Sequence, residues 1–178
     1  MTLISSLRIA ALSVAALSFM SVAAFADSPV AVIDLARVIE TSAVGKDLQE
    51  KFKTKKEALQ KEAIAYEKDL REKEQTLMKD KKTMDAKAFG EKRKSFEEGL
   101  KKKRAEILEK NVSLEKSKNN ALKTIQTKVV QISADIAKEK KIQVVLDQTA
   151  VVIAQESLDI TADVIKKLNG DLKTVPLK

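Results

Sequence analysis

The side chains with chemistry to offer are almost all amines and carboxylates: 34 Lys and Arg stand against 26 Asp and Glu, with no His and no Cys. Without imidazole or thiol, nucleophilic triads and most transition-metal sites lack their usual residue types. The four glycines, Gly45, Gly90, Gly99 and Gly170, belong to neither GxxxxGK[ST] nor GxGxxG, so no phosphate-cradling loop is legible and use of ATP is not expected. Catalysis by carboxylates alone survives this filter, but nothing in the sequence favours it. No catalytic, cofactor-binding or metal-binding residue is therefore assigned, and the chain is not expected to be an enzyme.

What remains is charge and where it sits. Between Lys79 and Arg104 there are eleven basic and five acidic residues, whereas Lys46 to Met78 carries nine against eight and is nearly neutral. The clusters KDKK, EKRK and KKKR gather Lys79, Lys81, Lys82, Lys92, Arg93, Lys94, Lys101, Lys102, Lys103 and Arg104 into one cationic stretch. Such a stretch favours anionic partners at short range, with attraction that salt weakens. For any one lysine, keeping an exposed helix in solution is explanation enough. The cluster as a whole reads equally well as an anion-attracting surface, and these ten residues are the candidate binding site for a client or an anionic lipid.

The elements that must position this charge begin after an export leader. Residues 1–26 hold one basic residue, Arg8, an apolar run from Ile9 to about Val22, and then Ala24-Phe25-Ala26, the order read by the secretion machinery and its peptidase. Cleavage after Ala26 is expected. A retained membrane anchor is the alternative, with an apolar run near the lower limit of roughly 20 residues for spanning. The remaining 152 residues carry a net charge of +7 and are expected to be soluble outside the cytoplasm. With no cysteine, stability there rests on packing or assembly. Aromatics at 3% and charged residues at 34% match long helices and coiled coils rather than a compact globule.

Residues 27–45 read as the first part of a small β-rich body: a strand, VAVID, then a helical turn or two over Leu35 to Ser42, and Gly45 as a joint. Residues 46–140 are nearly all strong helix formers and read as a helical hairpin with its tip near residues 80–86. Asp85 is the expected N-cap of the second limb, with Met84 and Phe89 spaced for a hydrophobic staple. An unbroken rod past residue 85 is the alternative. Heptad spacing puts Phe52, Leu59, Ala63, Tyr66, Leu70, Leu77 and Met84 on one stripe, interrupted by Lys56 and Lys73. The other limb offers Phe96, Leu100, Ile107, Leu114, Ala121, Ile125, Ile132 and Ile136, interrupted by Arg104, Asn111 and Lys118. A period of 3.5 with polar interruptions predicts a coiled coil that keeps register at some cost in stability, strongest from Ala121 to Ile136.

Residues 141–178 complete the body. IQVVL and VVIA read as strands around Asp147-Gln148-Thr149-Ala150, followed by a helix capped by Asp159 or Thr161 and stopped by Gly170, with a tail after Leu172. Three short strands and one helix leave edges and an apolar face in water unless copies of the chain share them. Val30, Val32, Ile33, Val144, Leu146, Val151, Ile153, Val164 and Leu168 are the expected oligomerisation residues. A monomeric split β fold is the alternative. The fold class expected is mostly α with a small β body, a long hairpin arm projecting from an oligomerisation domain.

An exported leader, VAVID, a basic hairpin, IQVVLDQTAVVIA and above all DITADVIKKL give a chain that resembles the Skp/OmpH-like periplasmic chaperones. The resemblance implies a homotrimer with a central β-barrel and three arms around a cavity. It implies ATP-independent holding of unfolded outer-membrane proteins in the periplasm until the barrel-assembly machinery receives them. It also implies contact with lipopolysaccharide or anionic membranes through basic arm residues, Lys92, Arg93 and Lys94 falling near the relevant stretch. A structural or membrane-surface protein is the competing class. Nucleic-acid binding is not expected, because the basic stretch holds no stacking aromatics beyond Phe89 and Phe96 and the leader directs the chain elsewhere.

Overall fold

The computed structural model describes residues 30–177, so the expected leader lies outside the described residues. Two strands and four helices follow in the order β1 (Val30–Ile33), α1 (Leu35–Thr41), α2 (Ala43–Asp80), α3 (Ala86–Glu139), β2 (Val144–Asp147) and α4 (Thr161–Asp171).

Short polar residues set each boundary. Asp34 caps α1 by accepting from Arg37 N at 2.8 Å, and Ser42, wholly buried, caps α2 by accepting from Gly45 N at 3.2 Å. The joint between α1 and α2 is therefore Ser42, and the expected joint residue Gly45 lies inside the first turn of α2. Gly45 is needed there for space: a β-carbon on it would sit 1.6 Å from Ile39 O. Asp85 caps α3 as expected, its Oδ1 accepting from Lys87 N and Ala88 N at 3.0 Å. After the turn α3 packs back along α2 and runs unbroken through Gly90 and Gly99 for 54 residues, about 80 Å. It ends in a left-handed residue that the sequence does not advertise. Lys141 has φ 56°, Ile142 N donates to Ala137 O at 2.8 Å, and Lys141 N donates to Lys138 O at 3.4 Å, the paired bonds of a Schellman motif made without glycine.

β1 and β2 pair in parallel, Val30 opposite Val144 through Ile33 opposite Asp147, with the whole arm as their crossover. On its other side β1 meets Asp159, and Ile160 N donates to Val32 O at 3.0 Å. One chain thus supplies a two-stranded sheet and a bridge, not a barrel. The expected strand VVIA does not form. Asp147 accepts from Thr149 N and starts a 3-10 turn over Gln148–Ala150, after which Val152 and Ile153 run out 98% and 88% exposed. Among the described residues they pair with no strand, although the outer edge of β2 is open.

The core lies where the last turns of α3 pass the start of α2. Ile125, Val129, Ile132 and Ile136 pack with Val38, Val44, Leu48, Ala31, Ile33, Val164 and Leu168 in one buried cluster. α4 runs antiparallel along α3, tied by Lys128 to Asp171, Glu139 to Lys167 and Lys140 to Asp163 at 2.5–2.8 Å. Thr161 Oγ1 accepts from Asp34 N at 2.9 Å, joining α4 to the start of α1. The helix reaches Asp171, one residue past the expected stop at Gly170, and Asp159 Oδ1 accepts from Thr161 N. The expectation that the apolar face stays in water unless copies share it fails for one face of the sheet, because α3 belongs to the body over its final turns. The expected tail also packs: Val175 and Leu177 are buried in the same cluster.

Candidate functional site

Two surfaces concern binding, one at the base and one along the arm. At the base the nine expected oligomerisation residues divide. Ile33, Val164 and Leu168 belong to the core of the single chain. Fully buried there, Val164 and Leu168 offer nothing to a second subunit, because α3 and α1 already cover α4. Val30, Val32, Val144 and Leu146 share the opposite face of the sheet, since side chains alternate and the register pairs 30 with 144 and 32 with 146. On that face Val144 and Leu146 are exposed while Val30 and Val151 are half-buried. Val32 is buried, lining a small cavity of about 230 Å³ with Gln148, Val151 and Val152. Ile153 is exposed as well, and so is Val152 beside the cavity, which the strand pattern did not single out.

Along the arm, the apolar seam residues proposed from heptad spacing face inward except Met84, which is exposed, and burial fades toward the tip. Leu114 and Ala121 are buried; Phe52, Leu59, Tyr66, Leu70, Leu77, Phe96, Leu100 and Ile107 are only half-buried. The polar interruptions find separate solutions. Lys118 lies over the Phe52 ring at 4.4 Å from its centre, a cation–π contact. Lys73 pairs with Asp69 on its own helix at 2.7 Å, and Arg104 and Asn111 stay exposed. Near the outer half the limbs leave a cleft of about 630 Å³, floored by Tyr66, Leu70, Leu77, Phe96 and Leu100.

Glu62 on α2 is gripped from α3 by Lys103 at 2.9 Å and Lys110 at 2.8 Å, and both lysines also reach Glu106. Hydrogen bonds from Lys110 and then Lys103 hold the Glu62 carboxyl down at about 2. Those from Glu62 and then Glu106 raise both lysines above the usual ammonium range. Exposed as it is, this clasp is worth little in a single pair and more as a network.

Of the ten candidate cations, three are committed inside the arm. Lys92 pairs with Asp80 across the tip, Arg93 with Glu97 at 3.5 Å, and Lys103 with Glu62. Lys79, Lys81, Lys82, Lys94, Lys101, Lys102 and Arg104 are exposed and make no ion pair among the described residues. They form a band rather than a point, since Lys101 to Arg104 lie about 25 Å down α3 from its start. The sequence reading missed five apolar residues that stand off the seam: Ile64, Met78, Leu108, Val112 and Val130 are 60–66% exposed. Their signal is negative, apolar residues at positions that the heptad leaves to solvent.

Among the described residues no helix is long and apolar enough to cross a membrane. A structure of similar fold is that of a protein described as a candidate outer membrane chaperone (OmpH-like) from Caulobacter crescentus CB15. It matches with a TM-score of 0.70 at 22% identity, over 84% of this chain and 88% of that one. An uncharacterised protein of Aquifex aeolicus (strain VF5) is 32% identical over 123 residues, 62% of this chain and 72% of the relative. The family model described as "Outer membrane protein (OmpH-like)" matches residues 29–168, which take in β1, the whole arm, β2 and most of α4. The chain belongs to the OmpH-like family.

Proposed function

We propose that this protein is an ATP-independent holdase of the periplasm that keeps unfolded outer-membrane proteins soluble between its arms. The observation that carries the reading is the arm surface, where Ile64, Met78, Leu108 and Val112 stand exposed on helices rich in unpaired lysine. Scattered apolar contacts within a cationic envelope suit weak, many-point capture of an unfolded chain and release without nucleotide. Several arms acting together raise the effective concentration of each contact. The exposed apolar side chains of Val144, Leu146, Val152 and Ile153 support assembly of copies through the base, as a homotrimer by family resemblance.

Diluting a urea-denatured outer-membrane barrel protein into the processed chain should suppress light scattering without ATP; scattering that rises unchanged defeats the proposal. Sedimentation adds a second check. Val144→Asp or Ile153→Asp should lower the assembly mass while helicity persists, and an unchanged mass would place the interface elsewhere.

A second reading, contact with anionic lipid or lipopolysaccharide, is favoured by the seven cations that make no ion pair among the described residues. Flotation with anionic vesicles at low and high salt tests it. Salt-sensitive binding without any protection of clients would make membrane contact the main role.

A further inference from the structure

We infer that the C-terminal segment from Asn169 to Leu177 is a strap that holds the root of α2 to the base and moves the arm's pivot outward along that helix. Three tethers meet one stripe of α2, at Ala43, Asp47, Lys51 and Lys55, each four residues from the next and so on one face. Asn169 Oδ1 accepts from Ala43 N at 2.7 Å, taking up a free amide at the helix start. Thr174 Oγ1 donates to Asp47 Oδ2 at 2.7 Å and lies 2.5 Å from Lys51 Nζ, which also pairs with Asp47 at 2.8 Å. Leu177 O accepts from Lys55 Nζ at 2.6 Å. Between these tethers Val175 and Leu177 are buried, 2% and 8% exposed.

The fully buried residues of α2 end at Leu48, and beyond it the helix is held to the core only by half-buried Phe52 and Leu59, so its own grip loosens there. The strap carries the grip to Lys55, seven residues or about 10 Å farther along the axis. α2 is 38 residues long, about 57 Å, and a rotation of ~10° at its root moves the tip by ~10 Å. The strap begins where the family match ends, at residue 168. Its use as a control on cavity width rests on the holdase reading; its mechanical role does not.

Hydrogen exchange on the processed chain without client tests the strap independently of any chaperone activity. Two variants are compared with the parent: one lacking residues 173–178, and the double substitution Thr174→Ala with Lys55→Ala, which keeps the buried apolar anchors. Amides of residues 49–58 should exchange at least about tenfold faster in the truncated chain and several-fold faster in the double variant. Protection at Ile125 to Ile136 should hold in the double variant. Unchanged exchange over 49–58 in either variant overturns the proposal. Should truncation unfold the chain throughout, the double variant decides.

Discussion

At the base, Val38, Ile125, Val164 and Leu168 are sealed from solvent, whereas along the outer arm Tyr66, Leu70, Leu77, Phe96 and Leu100 keep part of their surface wet. The same heptad chemistry runs through both regions, so the contrast comes from the number of layers. At the base α3 has α4 and β2 against it as well as α2, while farther out it has α2 alone. Two helices cannot enclose a residue on all sides. The arm therefore depends on half-buried contacts and on charge pairs such as Glu62 with Lys103 and Lys110. A base that unfolds as one unit and an arm that opens locally are what this difference produces.

The largest test removes matched side chains from the two regions. Leu168→Ala should cost about 2–5 kcal/mol in urea unfolding, and Leu70→Ala on the arm about 1 kcal/mol or less. Equal costs would mean that the outer seam is as closed as the base. Glycine gives a second comparison with opposite signs. Gly45→Ala drives a methyl into Ile39 O and should cost about 3 kcal/mol, at the upper end of overpacking. Gly99→Ala meets nothing within 4 Å and should gain about 0.5–1 kcal/mol from helix propensity. Thermal midpoints moving in the same direction would break the contrast.

Lys141→Gly, at the left-handed end of α3, should stabilise by up to about 1 kcal/mol, because glycine adopts that backbone without a clash. The smallest effect belongs to acid. Glu62 has its folded pKa lowered to about 2 from 4.5, so its contribution is present above 4.5 and is lost as pH falls toward 2. Mid-arm exchange should accelerate across that window, and Glu62→Gln should remove much of the pH dependence. A variant with the parent's full pH profile would show that the clasp does not hold the limbs.

The hairpin, its turn at Asp85 and its inward stripe were legible because each depends on residues a few positions apart. The core contacts between Ile125–Ile136 and α4 were partly legible: both apolar faces could be seen, but not that α3 would outrun α2 and cover α4. The strand assigned to VVIA shows the opposite limit. Its composition suits a sheet, yet β1 spends its second edge on Asp159 and Ile160, and the turn that Asp147 caps leads the chain away from the open edge of β2. The packed tail left no pattern at all, since KTVPL has no period and one of its tethers uses the carbonyl of Leu177. Among the ten cations, the pairs of Lys92 and Lys103 depend on which α2 carboxylate lies opposite, a matter of hairpin register that spacing alone does not fix.

The parallel pairing of Val30 with Val144 has a consequence for the order of folding. The first strand synthesised must wait for a partner more than a hundred residues later, and closing so long a loop in a disordered chain is entropically costly and slow. A hairpin built from local contacts removes most of that cost, because once α3 has doubled back on α2 the two ends already lie together. Nucleation at the turn around Asp85 thus becomes the event that lets the sheet form, although the turn lies at the opposite end of the molecule.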